Sequence, residues 1–233
     1  MPPIRSMLVV FPEIKVGKDI LKFRSFINHQ LNRENDLFHN HAEKQNSVIY
    51  RYPRIQYRDF QGAAAIFGIK EGYTALNELL TEKLDDFPPK FQHFERKEHR
   101  TTLGLGESMN TYRLNNWLAL NLTKNKDGSL VNREKIFEEF NTESEKKEML
   151  RSILVSQLLG FCREMSVELP KGGIIVEILA FRSTGKHEIV SETGTSFFTG
   201  FQTNYRTNLQ IPEYAAFGKA VSKGFGWQTT IKS

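Results

Sequence analysis

Ala63–Leu84, AAAIFGIKEGYTALNELLTEKL, changes its periodicity part-way along, and that change decides the fold. Ala63–Ile69 is a short apolar run after the turn-forming Gly62, and it reads as a strand. From Tyr73 to Leu84 the apolar positions Leu76, Leu79, Leu80 and Leu84 fall at helical spacing and predict a helix. Upstream, Ser47–Arg58 is rich in Tyr, Ile and Val and predicts a second strand, with Pro53 marking an edge or a bulge. The polar stretch Asn32–Asn46 predicts a loop. Asp19–Asn32 predicts a helix with Ile20, Phe23, Ile27 and Leu31 on one face, and Met7–Phe11 a buried strand stopped by Pro12. Downstream, Phe91–Leu103 predicts a closing strand. The order β-α-β-β-α-β is the ferredoxin-like pattern.

A hinge is expected at Gly104-Leu-Gly106, dividing residues 1–105 from residues 106–233. Beyond it, Tyr112–Leu122 predicts a strand and Lys124–Gly128 a loop. Thr142 with Glu145 forms a capping box that announces a long helix from about Glu143. Its stripe of Leu150, Ile153, Leu154, Leu158, Phe161, Cys162 and Met165 is a buried face, so Cys162 reads as core rather than as a reagent. Ile174–Phe181, His187–Ser191 and Thr195–Tyr205 predict antiparallel strands, and Trp227–Ile231 a last one. Both halves are α+β, and 233 residues suffice for two small domains.

Composition narrows the function classes. With 39% apolar and 25% charged residues the chain builds a core and is not of the disordered kind. A single cysteine excludes an internal disulfide and a cysteine-based zinc site, and a reducing cytoplasm is expected. Met7–Phe11 is too short for a signal-peptide core or a membrane span, so no membrane association is expected. The net charge is +5, with surpluses of three in residues 1–105 and two in residues 166–233 around a neutral centre. That bias admits nucleic acid as a partner without requiring it.

Three stretches carry possible chemistry. Ala216-Phe-Gly218-Lys-Ala-Val-Ser-Lys-Gly224-Phe-Gly226 spaces its glycines so that backbone N–H groups can approach an anion, with Lys219, Ser222 and Lys223 between them. A tight turn before the last strand is the plainer account; the stretch is not a nucleotide P-loop, because no Gly-Lys-Ser/Thr closes it. Phe38-His39-Asn40-His41 places two imidazoles, with pKa near ~6.5, in one loop, which suits general acid and base work. Two solvated histidines are the plainer account there, and a metal pair lacks a further ligand at a recognisable spacing. His29 is the competitor for a catalytic role, while His93, His99 and His187 read as structural or solvated. Tyr50–Arg58 holds Arg51, Arg54 and Arg58 among three tyrosines with no acid; arginine matches phosphate and tyrosine stacks bases, although a strand edge made soluble by arginine has the same composition.

Taken together, Phe38–His41, Tyr50–Tyr57 and the tail from Thr207 to Gly226 resemble the CRISPR-associated endoribonucleases that process precursor CRISPR RNA, a branch of the repeat-associated superfamily, and most resemble those of subtype I-B systems. The family's tail signature, Gly-apolar-Gly, five residues, Gly-apolar-Gly, fits positions 216–226 with Ala216 in place of the first glycine. The resemblance implies two tandem ferredoxin-like (RRM-like) domains with antiparallel sheets, the second less regular and carrying the glycine-rich RNA-binding loop. It implies RNA cleavage by 2′-hydroxyl attack, giving 2′,3′-cyclic phosphate and 5′-hydroxyl ends, with no cofactor and no metal. His39 and His41 are then the catalytic pair, and Arg51, Arg54, Arg58, Gly218, Lys219, Ser222, Lys223, Gly224 and Gly226 bind CRISPR repeat RNA. Other effector-complex proteins and a second copy of the chain are further partners it admits. A non-catalytic RNA-binding subunit of the same superfamily is the alternative, and an unrelated ferredoxin-like enzyme for a small anion a more distant one.

Overall fold

The computed structural model describes residues 3–17, 19–31, 35–39, 52–120, 122–124, 130–191 and 194–231. They form two compact units, residues 1–103 with Val221–Gly224, and residues 104–220 with 225–233.

The first unit holds β1 (Ile4–Lys15), α1 (Ile20–Gln30), α2 (Asp36–His39), β2 (Ile55–Phe60), β3 (Ala63–Ile69), α3 (Glu71–Glu78) and β4 (Glu95–Thr101). Its antiparallel sheet runs β2-β3-β1-β4, so β2 is an edge strand. Met7, Val9 and Phe11 of β1 and Ala64 and Ile66 of β3 meet Phe23 and Ile27 of α1 and Leu76 of α3 in one core. Phe91 stacks on Phe26 at 4.9 Å and meets Phe11 edge-on at 5.4 Å, so an aromatic cluster closes the far end of that core.

Several element limits differ from the sequence reading. The helix expected over Tyr73–Leu84 is regular only to Glu78; Leu79–Lys83 widens into a π turn. Leu79 and Leu84, five residues apart, are both buried, and a π turn brings that spacing onto one face. The strand expected from Phe91 begins at Glu95, because Pro88 and Pro89 hold the chain in a 3₁₀ turn that delivers Phe91 to the core. The strand expected over Ser47–Arg58 runs instead from Ile55 to Phe60, with Pro53 outside it; Ser47–Arg51 lie outside the described residues. Within the expected loop, Asp36–His39 makes a helical turn: Asn35 Oδ1 accepts the Leu37 N–H at 3.0 Å, and Phe38 is buried in the core.

The second unit holds β5 (Gly104–Trp117), β6 (Leu122–Lys124), β7 (Leu130–Asn132), α4 (Arg133–Glu139), α5 (Glu143–Glu164), β8 (Val176–Ser191), β9 (Gly194–Gln210) and β10 (Trp227–Thr230). Its main sheet runs β10-β5-β9-β8, antiparallel throughout. Counted within each unit, both sheets have the order fourth, first, third, second. The fold is thus two tandem ferredoxin-like domains of the α+β class. The second is less regular, since the segment between β9 and β10, where the pattern has its second helix, makes only a 3₁₀ turn, Val221–Lys223.

The capping box of α5 is present: Thr142 Oγ1 accepts the Glu145 N–H at 3.2 Å and Glu145 Oε2 accepts the Thr142 N–H at 3.0 Å. Its predicted stripe is buried, and burial pushes the Cys162 thiol up to about 11. The expected hinge at Gly104–Gly106 adjoins the division of the chain between Leu103 and Gly104, and the same residues begin β5, paired through Gly104 with Gln210 and through Leu105 with Leu209. The strand expected over Tyr112–Leu122 ends at Trp117. The two strands expected over Ile174–Ser191 are one, β8, interrupted by bulges at Ile178/Ala180 and Ser183/Gly185. Among the described residues no helix is long and apolar enough to cross a membrane.

Candidate functional site

Of the two candidate catalytic histidines, His39 closes the short helix α2 directly after the core residue Phe38; His41 lies outside the described residues, as does Arg51. His29, the competitor, is exposed in the last turn of α1. His187 is half-buried in β8, with Phe225 edge-on at 5.2 Å and Thr184 Oγ1 3.0 Å from its Nε2. Burial lowers its pKa and so favours the neutral imidazole.

The arginines of the Tyr50–Arg58 stretch are engaged inside the first unit. Arg54 Nε meets Glu71 Oε2 at 3.0 Å with the side chain only 10% exposed, and its carbonyl accepts the Ile69 N–H at 3.0 Å. Arg58 is 1% exposed: its Nη2 donates to Gln56 Oε1 at 2.8 Å and its guanidinium lies 4.9 Å from the Phe67 ring centre. Both were expected on a surface that meets RNA. Each guanidinium is thus already engaged within the first unit, by Glu71 for Arg54 and by Gln56 and Phe67 for Arg58.

The glycine-rich tail is shaped by two demands. In the second unit Phe217 is buried edge-on against Phe161 of α5 at 5.4 Å. Its N–H donates to the Gly226 carbonyl at 2.8 Å, and Gly226 N–H is shared between the Asn115 and Asn116 carbonyls at 3.0 and 3.1 Å. Gly226 has φ +69°, and a Cβ there would lie 1.8 Å from the Phe217 carbonyl oxygen, so only glycine closes this loop. Ala216 bridges Trp227 with no positive φ, which explains why a methyl is tolerated where the family signature has glycine. Lys219 is exposed, and its N–H donates to the Leu118 carbonyl at 3.2 Å.

In the first unit, Val221–Gly224 packs on β2: a Cβ on Gly224, whose φ is +96°, would stand 3.2 Å from the Tyr57 carbonyl oxygen. Ser222 and Lys223 are half-buried there. Burial, and then the nearby charge of Arg24, hold the Lys223 ammonium below the usual lysine range. Burial lowers Arg24 too, with Tyr57 opposing. Tyr57, raised by burial, donates its hydroxyl to Asn28 Oδ1 at 3.2 Å. The half-buried Lys223 ammonium thus lies within electrostatic reach of the Arg24 guanidinium, inside one unit. Arg24 was missed in the sequence because a charged residue beside Phe23 on an amphipathic helix reads as its solvated flank. Among the described residues no three His, Cys, Asp or Glu side chains converge as metal ligands would.

Comparison with known proteins bears on the same segments. Residues 4–102 match the Cas6b N-terminal domain and residues 104–231 the Cas6b C-terminal domain. An uncharacterized protein of Methanocaldococcus jannaschii is 31% identical over 128 residues, covering 53% of this chain and 74% of that protein. A crystal structure of Cas6b superposes with a TM-score of 0.76 at 20% identity, over 98% of this chain and 100% of that one. A second, of the CRISPR RNA processing endoribonuclease Cas6b, gives 0.68 at 19% identity with the same coverage.

Proposed function

The chain belongs to the Cas6b family, and from that membership we propose that it is an endoribonuclease that cuts CRISPR repeat RNA, without a metal, through the RNA's own 2′-hydroxyl. The observation that carries this reading is the family match along both domains, residues 4–102 and 104–231. In the reaction the 2′-oxygen bonds to phosphorus and the bond from phosphorus to the 5′-oxygen breaks. One of His39 and His41 takes the 2′-hydroxyl proton and the other gives a proton to the departing 5′-oxygen, leaving a 2′,3′-cyclic phosphate and a 5′-hydroxyl. Lys219, Ser222, Lys223 and the backbone around Gly218, Gly224 and Gly226 hold the phosphates, with Arg51 and Arg24 adding charge. The Arg24 charge that acts on the half-buried Lys223 supports this assignment. Arg54 and Arg58 serve the site by fixing β2 rather than by touching RNA.

The test is cleavage of a CRISPR repeat RNA by the purified protein in EDTA, with analysis of the product ends. Cleavage is expected to persist in EDTA and to stop when the nucleotide at the cut carries a 2′-deoxy sugar, while binding remains. Losing one general acid or base costs roughly 10²–10⁴ in rate. His39→Ala or His41→Ala alone loses up to that range, and the double variant loses cleavage. Wild-type cleavage by the double variant would move the role to His29, and RNA bound but never cut would make the chain a non-catalytic binding subunit.

A further inference from the structure

The hairpin of β8 and β9 carries an aromatic ring in an unusual setting. Phe197 is 63% exposed, whereas Phe201, four residues along the same strand, is 2% exposed in the core. Phe197 lines a cavity of about 440 Å³ together with Leu120, Asn132, Glu134, Phe198 and Lys219. That volume lies in the usual range for small-ligand sites, ~300–1,000 Å³.

The polar walls of this cavity are held in place. Asn132 Oδ1 caps α4 by accepting the Glu134 N–H at 3.0 Å and the Lys135 N–H at 3.3 Å. The Glu134 carboxylate accepts from the Thr199 hydroxyl, and Lys186 Nζ stands 3.7 Å from it. Thr199 and Lys186 face each other across the β8–β9 ladder, so the carboxylate is fixed to the same hairpin that presents Phe197. An exposed phenyl ring, a carboxylate held in place and a lysine thus line one space.

Those three groups match the three parts of a nucleotide. A base stacks on a phenyl face whatever its identity. An ionised carboxylate can accept but not donate, and guanine alone among the RNA bases presents two adjacent N–H donors on its pairing edge, where uracil flanks its single N–H with two carbonyls. A lysine neutralises the phosphate that follows. Resting on the reading of this chain as an RNA-binding protein, we propose that the cavity is a subsite for one unpaired guanine, stacked on Phe197, read by Glu134 and tied through its phosphate to Lys219. The subsite adds sequence preference to a tail that otherwise contacts only phosphates.

Fluorescence anisotropy with three oligoribonucleotides tests it: nine uridines, the same with a central guanosine, and the same with a central inosine, which lacks the 2-amino donor. The guanosine probe is expected to bind the wild-type protein about tenfold more tightly than the all-uridine probe, with inosine between them. Phe197→Ala and Phe197→Leu lose about tenfold on the guanosine probe, and Phe197→Tyr keeps its affinity. Glu134→Gln, which retains an acceptor for Thr199, binds the guanosine and uridine probes with more nearly equal affinity. Phe197 is exposed, so its replacement does not threaten the fold. Equal affinity of wild type and Phe197→Ala for the guanosine probe overturns the subsite even if repeat RNA is still cut. A wild-type protein that binds neither these probes nor repeat RNA overturns the RNA reading beneath it.

Discussion

Gly226 and Cys162 show how the surroundings of a single residue set what it tolerates. A left-handed backbone costs a residue with a Cβ about 1–2 kcal/mol. At Gly226 a methyl must also displace the Phe217 carbonyl, whose oxygen would sit 1.8 Å away. Gly226→Ala is therefore expected to lower Tm by roughly 5 °C or more, at ~2–4 °C per kcal/mol in a chain of this size. Ala216→Gly, in an extended bridge, costs only about 0.5–1 kcal/mol in chain entropy. Thermal melts that rank these two the other way would contradict the loop geometry. Cys162, 1% exposed with its thiol at about 11, holds far less thiolate at pH 8 than a free cysteine of pKa ~8.5. Iodoacetamide should label it only as the protein unfolds, and fast labelling under native conditions, read by mass spectrometry, would show that α5 opens readily.

Among the elements, α5 was the most legible because its signals agree: the Thr142–Glu145 box marks the start and the leucine stripe marks the buried face. Thr142→Ala leaves the Glu145 N–H without its cap and is expected to cost about 1 kcal/mol, seen as a Tm lower by a few degrees. A melt unchanged by that substitution would mean that the first turn of α5 is held by packing alone. Ala63–Ile69 was equally plain as a strand, and its alanines and isoleucines are buried along the whole length. The misreadings have a common cause in pairing that lies far away in sequence. Gly104 and Gly106 have the composition of a break in regular structure, yet Gln210 and Leu209 supply a ladder that makes the same residues the start of β5. Bulges in β8 shift the alternation of its side chains, so one strand reads as two. The candidate site was legible in part for the same reason: residue type marked Lys219 and Lys223, while the burial of Arg54 and Arg58 and the closeness of Arg24 to Lys223 arise only on folding.

For the molecule as a whole, a net charge of +5 does not say which cations meet RNA, but their settings do. Each phosphate neutralised on a single strand contributes about 0.7 to the slope of log affinity against log salt. Lys219 is exposed and Lys223 stands beside another cation, so the Lys219→Ala, Lys223→Ala protein should lose roughly 1.4 from that slope. Arg54→Ala and Arg58→Ala should lower Tm more than they flatten the slope, because these side chains hold Glu71 and Gln56. Proton linkage gives an independent handle on Lys223. Its pKa lies below the usual lysine value of ~10.4, through burial and Arg24, so as pH rises it loses its charge before other lysines do. A bound phosphate favours the charged form, so RNA binding at high pH takes up a proton and affinity falls as pH rises toward the usual lysine range. Lys223→Arg keeps its charge across that window and should flatten the fall, whereas Lys219→Arg should change it little. A double variant with the wild-type salt slope, or a Lys223→Arg protein with the wild-type pH profile, would remove the tail from the RNA-binding surface.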